Sequence, residues 1–513
     1  MSHWIILPVM LPALVAPFII LAARYHIGIQ RVFSIAGVLA LIAVAAGLAW
    51  QASDGTITLY QLGDWAAPFG IVLVGDRLST IMVLLTAVLA LMVLLYAIGS
   101  GWDDRGRHFH ALFQFQLMGI MGAFLTGDLF NLFVFFEVLL IASYGLMIHS
   151  GGNARLRAGV QYVLFNLIGS TLFLFALGAI YAETGTLNMA DLAQRVQAID
   201  ASETVGIRVA AVLLLLVFAI KAALVPLHFW LPSSYAEAPA PVAALFAIMT
   251  KVGAYAIIRV YTMVFPPEFE ATAGLHGDWL LAFALLSLAL GAAGVLAAQK
   301  LDRMVTFAVI SSMGMVMVTI SLFTPESIAA ALYYIIHSTL AAATLFLIVD
   351  LVKSSRPHLE LTPTPAIGGA VLVSALFFAG AIAMAGLPPL SGFIGKLLIL
   401  QASFSTDAMT WVFATVLIAS LVNVVGLSRA GSIVFWKAKS VAPAADAPAP
   451  QKPPALSCVA VGGLLALLTA HTVFAGPIHG YMTTTAAQLF APAPYIATVL
   501  DTPGKLSKLK EGN

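Results

Sequence analysis

The sequence predicts an all-α polytopic membrane protein with about fourteen transmembrane helices. Of its 513 residues, 61% are hydrophobic and 9% are charged, and the mean hydropathy is +1.00. Soluble domains carry roughly 25% charged residues, so this much apolar surface indicates a bilayer rather than water as the solvent. A net charge of +1 gives no basic face for nucleic acid. The single cysteine, Cys458, excludes an internal disulfide or a cysteine-rich metal site, and no phosphate-binding loop motif is present.

Fourteen apolar runs are long enough to cross a bilayer, for which about 20 residues are needed. The predicted spans are 4–23, 33–50, 77–99, 110–126, 129–149, 159–182, 207–226, 239–263, 279–298, 304–323, 328–351, 367–401, 410–436 and 455–475. Basic residues concentrate in the loops after odd-numbered spans and acidic residues in the alternate loops. Basic loops stay in the cytoplasm, so both chain ends are expected outside. The basic residues of the C-terminal tail, Lys505, Lys508 and Lys510, disagree with this orientation and leave open a missed or re-entrant segment near 480–500.

Two of these spans contain prolines that predict broken helices. Span seven ends at Pro226, and span twelve is interrupted by Gly386-Leu387-Pro388-Pro389. Proline removes an amide donor and clashes with the preceding turn. A broken helix is tolerated at membrane depth only where protein or a water cavity surrounds it.

Short echoes along the chain predict an internal repeat. Residues 170–174 resemble 343–347, and residues 143–145 resemble 312–314, at offsets of about 170. Lys221 and Lys396 lie a similar distance apart, each near a proline break, and are expected to be repeat equivalents. These observations predict two inverted five-helix repeats, one comprising spans 4–8 and the other spans 9–13. The predicted division is 1–109 (three N-terminal helices), 110–263 (first repeat), 279–436 (second repeat) and 437–513 (linker, last helix and tail).

Charged and titratable residues within the spans are the candidate functional residues. An ionisable group in the bilayer is costly and is usually functional or paired. Three of them have a simpler alternative: Glu137 as part of a structural ion pair, Lys221 snorkelling to the interface, and His337 as a satisfied core histidine. Lys251, Tyr255 and Arg259 are spaced by four and predict one polar helix face directed into the protein. The candidates are Glu137, Lys221, Lys251, His337 and Lys396, supported by Tyr255, Pro226, Pro388 and Pro389.

These motifs together resemble the antiporter-like family of proton-conducting membrane subunits. That family includes the large L-, M- and N-type membrane subunits of respiratory complex I, subunits of related hydrogenases, and the two large subunits of Mrp cation/proton antiporters. The resemblance rests on the following motifs: Phe136-Glu137, Lys221 to Pro226, Ala238-Pro239 to Tyr255, His337, and Gly386 to Lys396. Glutamate at 137 with lysine at 396, at this chain length, is most similar to the D-type Mrp subunits.

The resemblance implies a hydrated mid-membrane path through Glu137, Lys221, Lys251, His337 and Lys396, with Glu137 and Lys221 as a switchable ion pair. It also implies a multi-pass protein of the bacterial inner membrane, without cofactors. The implied partners are antiporter subunits of types A, B, C, E, F and G. The implied ions are H⁺ and Na⁺, or K⁺ in place of Na⁺. No acidic cluster marks a metal site. Three alternatives stay open: a proton-pumping subunit of complex I or a hydrogenase, a non-conducting scaffold, and a transporter of a small organic solute.

Overall fold

The computed structural model describes residues 3–442 and 451–504, and these are mostly helical. The tail and most of the predicted linker before the last helix lie outside the described residues. The α-helices of the described chain are, in order, α1 (Leu7–Ala22), α2 (Ile27–Ala52), α3 (Arg77–Ser100), α4 (Phe109–Leu125), α5 (Leu129–Met147), α6 (Asn153–Thr184), α7 (Met189–Gln197), α8 (Val205–Lys221), α9 (Trp230–Glu237), α10 (Ala240–Phe246), α11 (Met249–Met263), α12 (Gly277–Ala297), α13 (Leu301–Ile320), α14 (Pro325–Lys353), α15 (Ala370–Ala385), α16 (Ser391–Ser403), α17 (Met409–Gly431), α18 (Ala455–Val473), α19 (Ala475–Leu489) and α20 (Ala493–Leu500).

Many of these helices are long and apolar enough to cross a membrane. Within the described residues there are eleven such spans, with α10 and α11 together forming one of them. Helices α4 and α15 are shorter apolar helices. The helical membrane fold is confirmed, while the number fourteen stays a prediction.

A small β-hairpin, which the sequence analysis did not predict, connects α2 to α3 within this helical fold. Strands β1 (Thr58–Gln61) and β2 (Val72–Gly75) pair antiparallel, with Thr58 opposite Gly75. We call the end of the bundle that carries this hairpin the hairpin face. Both ends of the described chain lie there: the His3 ring contacts Tyr60, and Gln61 Nε2 donates to the carbonyl of Thr502 at 3.0 Å.

Both predicted helix breaks are present. Helix α15 ends at Ala385, where Gly386 takes the left-handed conformation (φ 69°), and α16 begins at Ser391. Helix α8 ends at Lys221, five residues before the predicted end of span seven. The chain turns out of the helix at Ala223 (φ 55°), before Pro226 is reached. The Val225 amide freed by this break donates to Ser287 Oγ at 2.8 Å.

A third break, which the sequence reasoning missed, separates α18 from α19 at Phe474. The predicted last span, 455–475, therefore covers only half of this element. The two helices together pair antiparallel with the whole of α3, as three contacts show: Gly99 against Ser457, Met92 against Gly463, and Arg77 Nη1 donating to Thr484 Oγ1 at 2.7 Å. Pro477, in the first turn of α19, cannot donate to the carbonyl of residue 473, which accounts for the interruption.

The inverted repeat is visible as pairs of equivalent contacts that recur at one offset. The Leu129 amide bonds the Leu187 carbonyl at 2.8 Å, and 172 residues later the Leu301 amide bonds the Leu359 carbonyl at 2.9 Å. The first pair lies near β2, through the Leu73–Thr126 bridge. The second lies at the opposite face, where Asp302 and Trp102 line one small cavity. The same pairing at opposite ends of the bundle is what an inverted repeat requires.

Candidate functional site

Glu137 lies half-buried on α5 and is held by a neighbouring helix. The Ser170 hydroxyl on α6 donates a short hydrogen bond to Glu137 Oε1. Helix α5 is fixed in turn by α4, because Gly119 lets the two backbones meet at Leu139. The carboxyl group is thus positioned by packing and by one hydroxyl donor.

Lys221 is the last residue of α8 and is buried, with 5% of its surface exposed. Its Nζ lies 3.4 Å from Asn166 Oδ1 and 5.7 Å from the centre of the Phe136 ring. Snorkelling is excluded, since the side chain ends inside the protein. The Trp230 indole caps the neighbouring Ile220 carbonyl at 3.1 Å, so the helix end is satisfied around the lysine.

A polar strip on α6 connects the acid to the lysine, and sequence reasoning missed it. Asn166 contacts Lys221, and Ser170, one turn later, contacts Glu137. Tyr162, one turn earlier, bonds Ser143 at 3.0 Å. Their spacing of four on an otherwise apolar helix is the signal that could have revealed the strip.

The predicted Glu137–Lys221 ion pair is not closed in this structure. The two charged groups do not approach within 4.0 Å, and each is bound by α6 instead. The structure therefore shows the separated arrangement of the two side chains.

Lys251 is fully buried on α11, and its Nζ has no hydrogen-bond partner in the described part of the chain. A buried amine needs either water or deprotonation when protein offers no acceptor. The helix is tightened just before it, where the Ala247, Ile248 and Lys251 amides bond carbonyls three residues back. Such a turn within a span often marks a functional distortion.

The polar face of α11 continues from Lys251 to the hairpin face. The Tyr255 hydroxyl donates to the Phe124 carbonyl at 2.6 Å. Arg259 makes a two-pronged ion pair with Asp76 at 2.6 and 2.7 Å. Burial raises the pKa of Asp76, but the charge and hydrogen bonds of Arg259 outweigh burial and hold that pKa below its usual range. The polar face of α11 points into the protein, as predicted. The other faces of α11 are also buried, so the helix is enclosed by protein on all sides.

His337 is fully buried on α14 beside the second predicted break. Its Nδ1 lies 2.9 Å from Ser391 Oγ, the first residue of α16. Gly392 leaves room for the ring, because a Cβ there would come within 2.7 Å of His337 Nε2. The break thus presents a hydroxyl to a titratable ring.

Lys396 binds a backbone carbonyl that the break between α15 and α16 leaves without a partner in its own helix. Its Nζ donates to the Ala385 carbonyl at 2.6 Å and to Ser420 Oγ at 2.7 Å. The last carbonyls of a helix have no partner within it, so Ala385 is a natural acceptor. The expected equivalence with Lys221 was wrong in detail: Lys221 ends the half-helix before its break, whereas Lys396 lies on the half-helix after its break.

The five candidate groups lie on helices that contact one another in sequence. Helix α5 contacts α6, α6 contacts α8, α8 contacts α11, α11 contacts α14, and α14 contacts α16. Pro226, Pro388 and Pro389 lie in the two breaks that flank this row. Within the described residues, no three histidine, cysteine or carboxylate side chains converge as a metal site. The arrangement brings together a row of five titratable groups, of which four are buried and Glu137 is half-buried.

Comparison with known proteins agrees with this geometry. Residues 126–422 match the family described as NADH:quinone oxidoreductase/Mrp antiporter, transmembrane. The chain belongs to this family. The D-type subunit of a probable K⁺/H⁺ antiporter from Rhizobium meliloti is 37% identical over 98% of each chain. The D-type subunit of a Na⁺/H⁺ antiporter from Bacillus subtilis is 38% identical over 85% of this chain and 87% of its own.

A solved structure extends the similarity to the whole fold. A chain of the Mrp complex from Dietzia sp. superposes with a TM-score of 0.87, at 27% identity, covering 98% of this chain and all of the other. The predicted resemblance to D-type antiporter subunits is therefore confirmed, and the chain is a multi-pass protein of a bacterial membrane.

Proposed function

We propose that this chain is the proton-conducting D-type subunit of a multisubunit antiporter that exchanges H⁺ for a monovalent cation. The observation that carries the proposal is the row of buried titratable groups on contacting helices, from Glu137 to Lys396. Scaffold helices would not need unpartnered amines in their interior, because a buried charge without a partner costs several kcal/mol. Lys251 Nζ has no hydrogen-bond partner in the described part of the chain.

The α6 strip supports a switching role for the first two members of the row. Ser170 and Asn166 hold Glu137 and Lys221 apart, one turn from each other. At 4 Å and an effective dielectric of about 20, a closed pair would gain ~4 kcal/mol. That energy corresponds to about three pKa units, enough to decide whether a buried lysine keeps its proton. Closing the pair would hold the proton on Lys221, and opening it would release the proton toward Lys251.

The exchanged cation is proposed to be Na⁺ or K⁺, as in the names of the two relatives. Within the described residues, no three histidine, cysteine or carboxylate side chains gather where such an ion could bind. We therefore propose that the cation crosses with the help of partner subunits of types A, B, C, E, F and G.

The proposal is tested by neutralising each end of the switch in the assembled complex. Glu137→Gln and Lys221→Ala should each lower pH-driven Na⁺ or K⁺ exchange in everted vesicles by more than tenfold, with normal assembly. Wild-type exchange in either variant would exclude the path. Loss of assembly in both variants, before any loss of transport, would favour the scaffold instead. Activation by dehydrogenase partners rather than by a cation gradient would favour a complex I-type pump.

A further inference from the structure

The third broken helix carries a buried histidine that the row above does not include. His471 lies in the last turn of α18, three residues before the break at Phe474, and only 4% of its surface is exposed. The other two breaks each adjoin a lysine of the proposed row. The same combination, a titratable side chain beside an interrupted helix at membrane depth, therefore occurs a third time.

His471 is bound to the helix that carries His337. Its ring stacks on Tyr333 with 4.2 Å between the ring centres. His471 Nε2 lies 3.2 Å from the Tyr333 carbonyl, and the Tyr333 hydroxyl donates to the His471 carbonyl at 3.2 Å. A carbonyl only accepts, so Nε2 carries hydrogen and Nδ1 is the nitrogen that can take up a proton. Tyr333 is one turn before His337 on α14.

A polar groove opens above this contact, on the hairpin face. It encloses about 270 Å³ between α14, α16 and α19. Its polar lining comprises Glu326, Gln401, Ser405, His479 and Thr483. Its floor includes Ala329 and Ala330, which precede Tyr333 by four and three residues on the same helix. The stacked pair of His471 and Tyr333 thus lies one turn below the floor of the groove.

We propose that His471 passes protons between the mid-membrane row and this groove, which is the outer mouth of the path. The imidazole takes up a proton from the His337 side, which forms an N–H bond at Nδ1. The Nε2–H bond then breaks, and its proton leaves the Tyr333 carbonyl for a water molecule of the groove, where an O–H bond forms. This inference rests on the proposed function, since it extends the row by one residue.

A purely structural histidine is the alternative, and the chain contains a matched example. His276 is also buried, its Nε2 lies 3.1 Å from the Phe265 carbonyl, and its ring lies 4.1 Å from that of Phe323. It adjoins no broken span and no member of the row. Removing a histidine that only stacks and bonds a carbonyl should therefore have the same effect at both positions.

Chemical rescue separates the two roles. A cavity of about 470 Å³ lies beside His471, between α3, α14 and the α18–α19 break, with room for free imidazole. In the whole complex, His471→Ala should lower cation-driven proton exchange at least tenfold, and added imidazole should restore part of the rate. His471→Gln keeps a donor for the Tyr333 carbonyl and should assemble normally, yet lose exchange. His276→Gln should exchange at the wild-type rate.

Three outcomes would overturn the proposal: wild-type exchange in His471→Gln, loss in His471→Ala that imidazole does not relieve, or equal loss in His276→Gln. If Glu137→Gln loses exchange while His471→Gln keeps it, only the present inference fails. If neither variant loses exchange, the proposed function fails as well.

A labelling experiment tests the groove without any transport measurement. With Cys458 replaced by serine, Ala330→Cys should react with a membrane-impermeant thiol reagent applied from the hairpin face. Leu417→Cys, on an exposed apolar side of α17, serves as the control that should not react. Labelling of Glu326→Cys without labelling of Ala330→Cys would show that water stops above His471, and the proposal would be wrong.

Discussion

Two small side chains on α6 hold the proposed switch open. Asn166 faces Lys221 and Ser170 faces Glu137, while the acid and the lysine do not touch. An ionic switch needs an alternative partner for each charge when the pair is open, because an unsatisfied buried charge is costly. The α6 strip supplies both alternatives within one turn.

Asn166→Ala should therefore impair exchange without harming assembly. A hydrogen bond to a charged group is worth about 1.5–3 kcal/mol, so a loss of roughly 10- to 100-fold is expected if the open state limits the rate. Initial rates of cation-driven proton movement in everted vesicles provide the measurement. Thr171→Ala is the control, since that hydroxyl bonds only the carbonyl of Leu167 in its own helix. Equal rates in the two variants would contradict a role for Asn166.

The sequence could predict the charged members of the site and not their neutral partners. Glu137 and Lys251 are conspicuous because charge within an apolar run is rare. The neutral partners are inconspicuous, since serine and asparagine often bond their own helix; they are Asn166, Ser170, Ser391 and Ser420. Only tertiary contacts distinguish a side chain that bonds its own helix from one that binds a charged group on another helix, and those contacts depend on how the helices pack.

Close helix packing fixes the first break against the centre of the row. A Cβ on Gly253 of α11 would come within 2.7 Å of the Ala222 amide nitrogen and 3.0 Å of the Lys221 carbonyl carbon. Gly253, two residues after Lys251, thus determines how closely α11 approaches the end of α8.

Gly253→Ala should push these two helices apart and misplace both lysines. Overpacking of this kind costs typically 1–3 kcal/mol, so we expect a lower unfolding temperature in detergent and a loss of exchange. Gly178→Ala on α6 is the matched control, because nothing lies within 4 Å of its added methyl group. If both variants unfold at the wild-type temperature, the contact at Gly253 does not constrain the bundle.

Two of the three helix breaks were predictable because a proline marks them within a predicted span: Pro226 ends span seven, and Pro388 interrupts span twelve. Pro477 lies just beyond the predicted last span, so it gave no such signal. The third break became visible only through the pairing of α18–α19 with α3. The β-hairpin was missed for a related reason: each strand has four residues, too few to show an alternating pattern.

Both ends of the described chain lie on one face of the molecule, so the described residues cross the membrane an even number of times. This agrees with the alternation of basic and acidic loops in the sequence. The groove above His471 opens on the hairpin face, because His479 and Thr483 line it and the adjacent Thr484 bonds Arg77 at the start of α3. Membrane orientation therefore decides from which side the proposed mouth is reached.

Single cysteines should report this orientation directly. In a Cys458→Ser background, Thr56→Cys near the hairpin and Ala497→Cys on α20 should both react with an impermeant thiol reagent on intact cells. Ala154→Cys, at the opposite face, should react only after permeabilisation, because the arginine-rich loops around it are retained in the cytoplasm. All three positions are exposed or close to exposed loops, so lack of access cannot mimic the result. Reaction of Thr56→Cys and Ala497→Cys from different sides would contradict the even number of crossings. A fully reversed pattern would place the groove in the cytoplasm and make it the inlet of the proton path rather than its outer mouth.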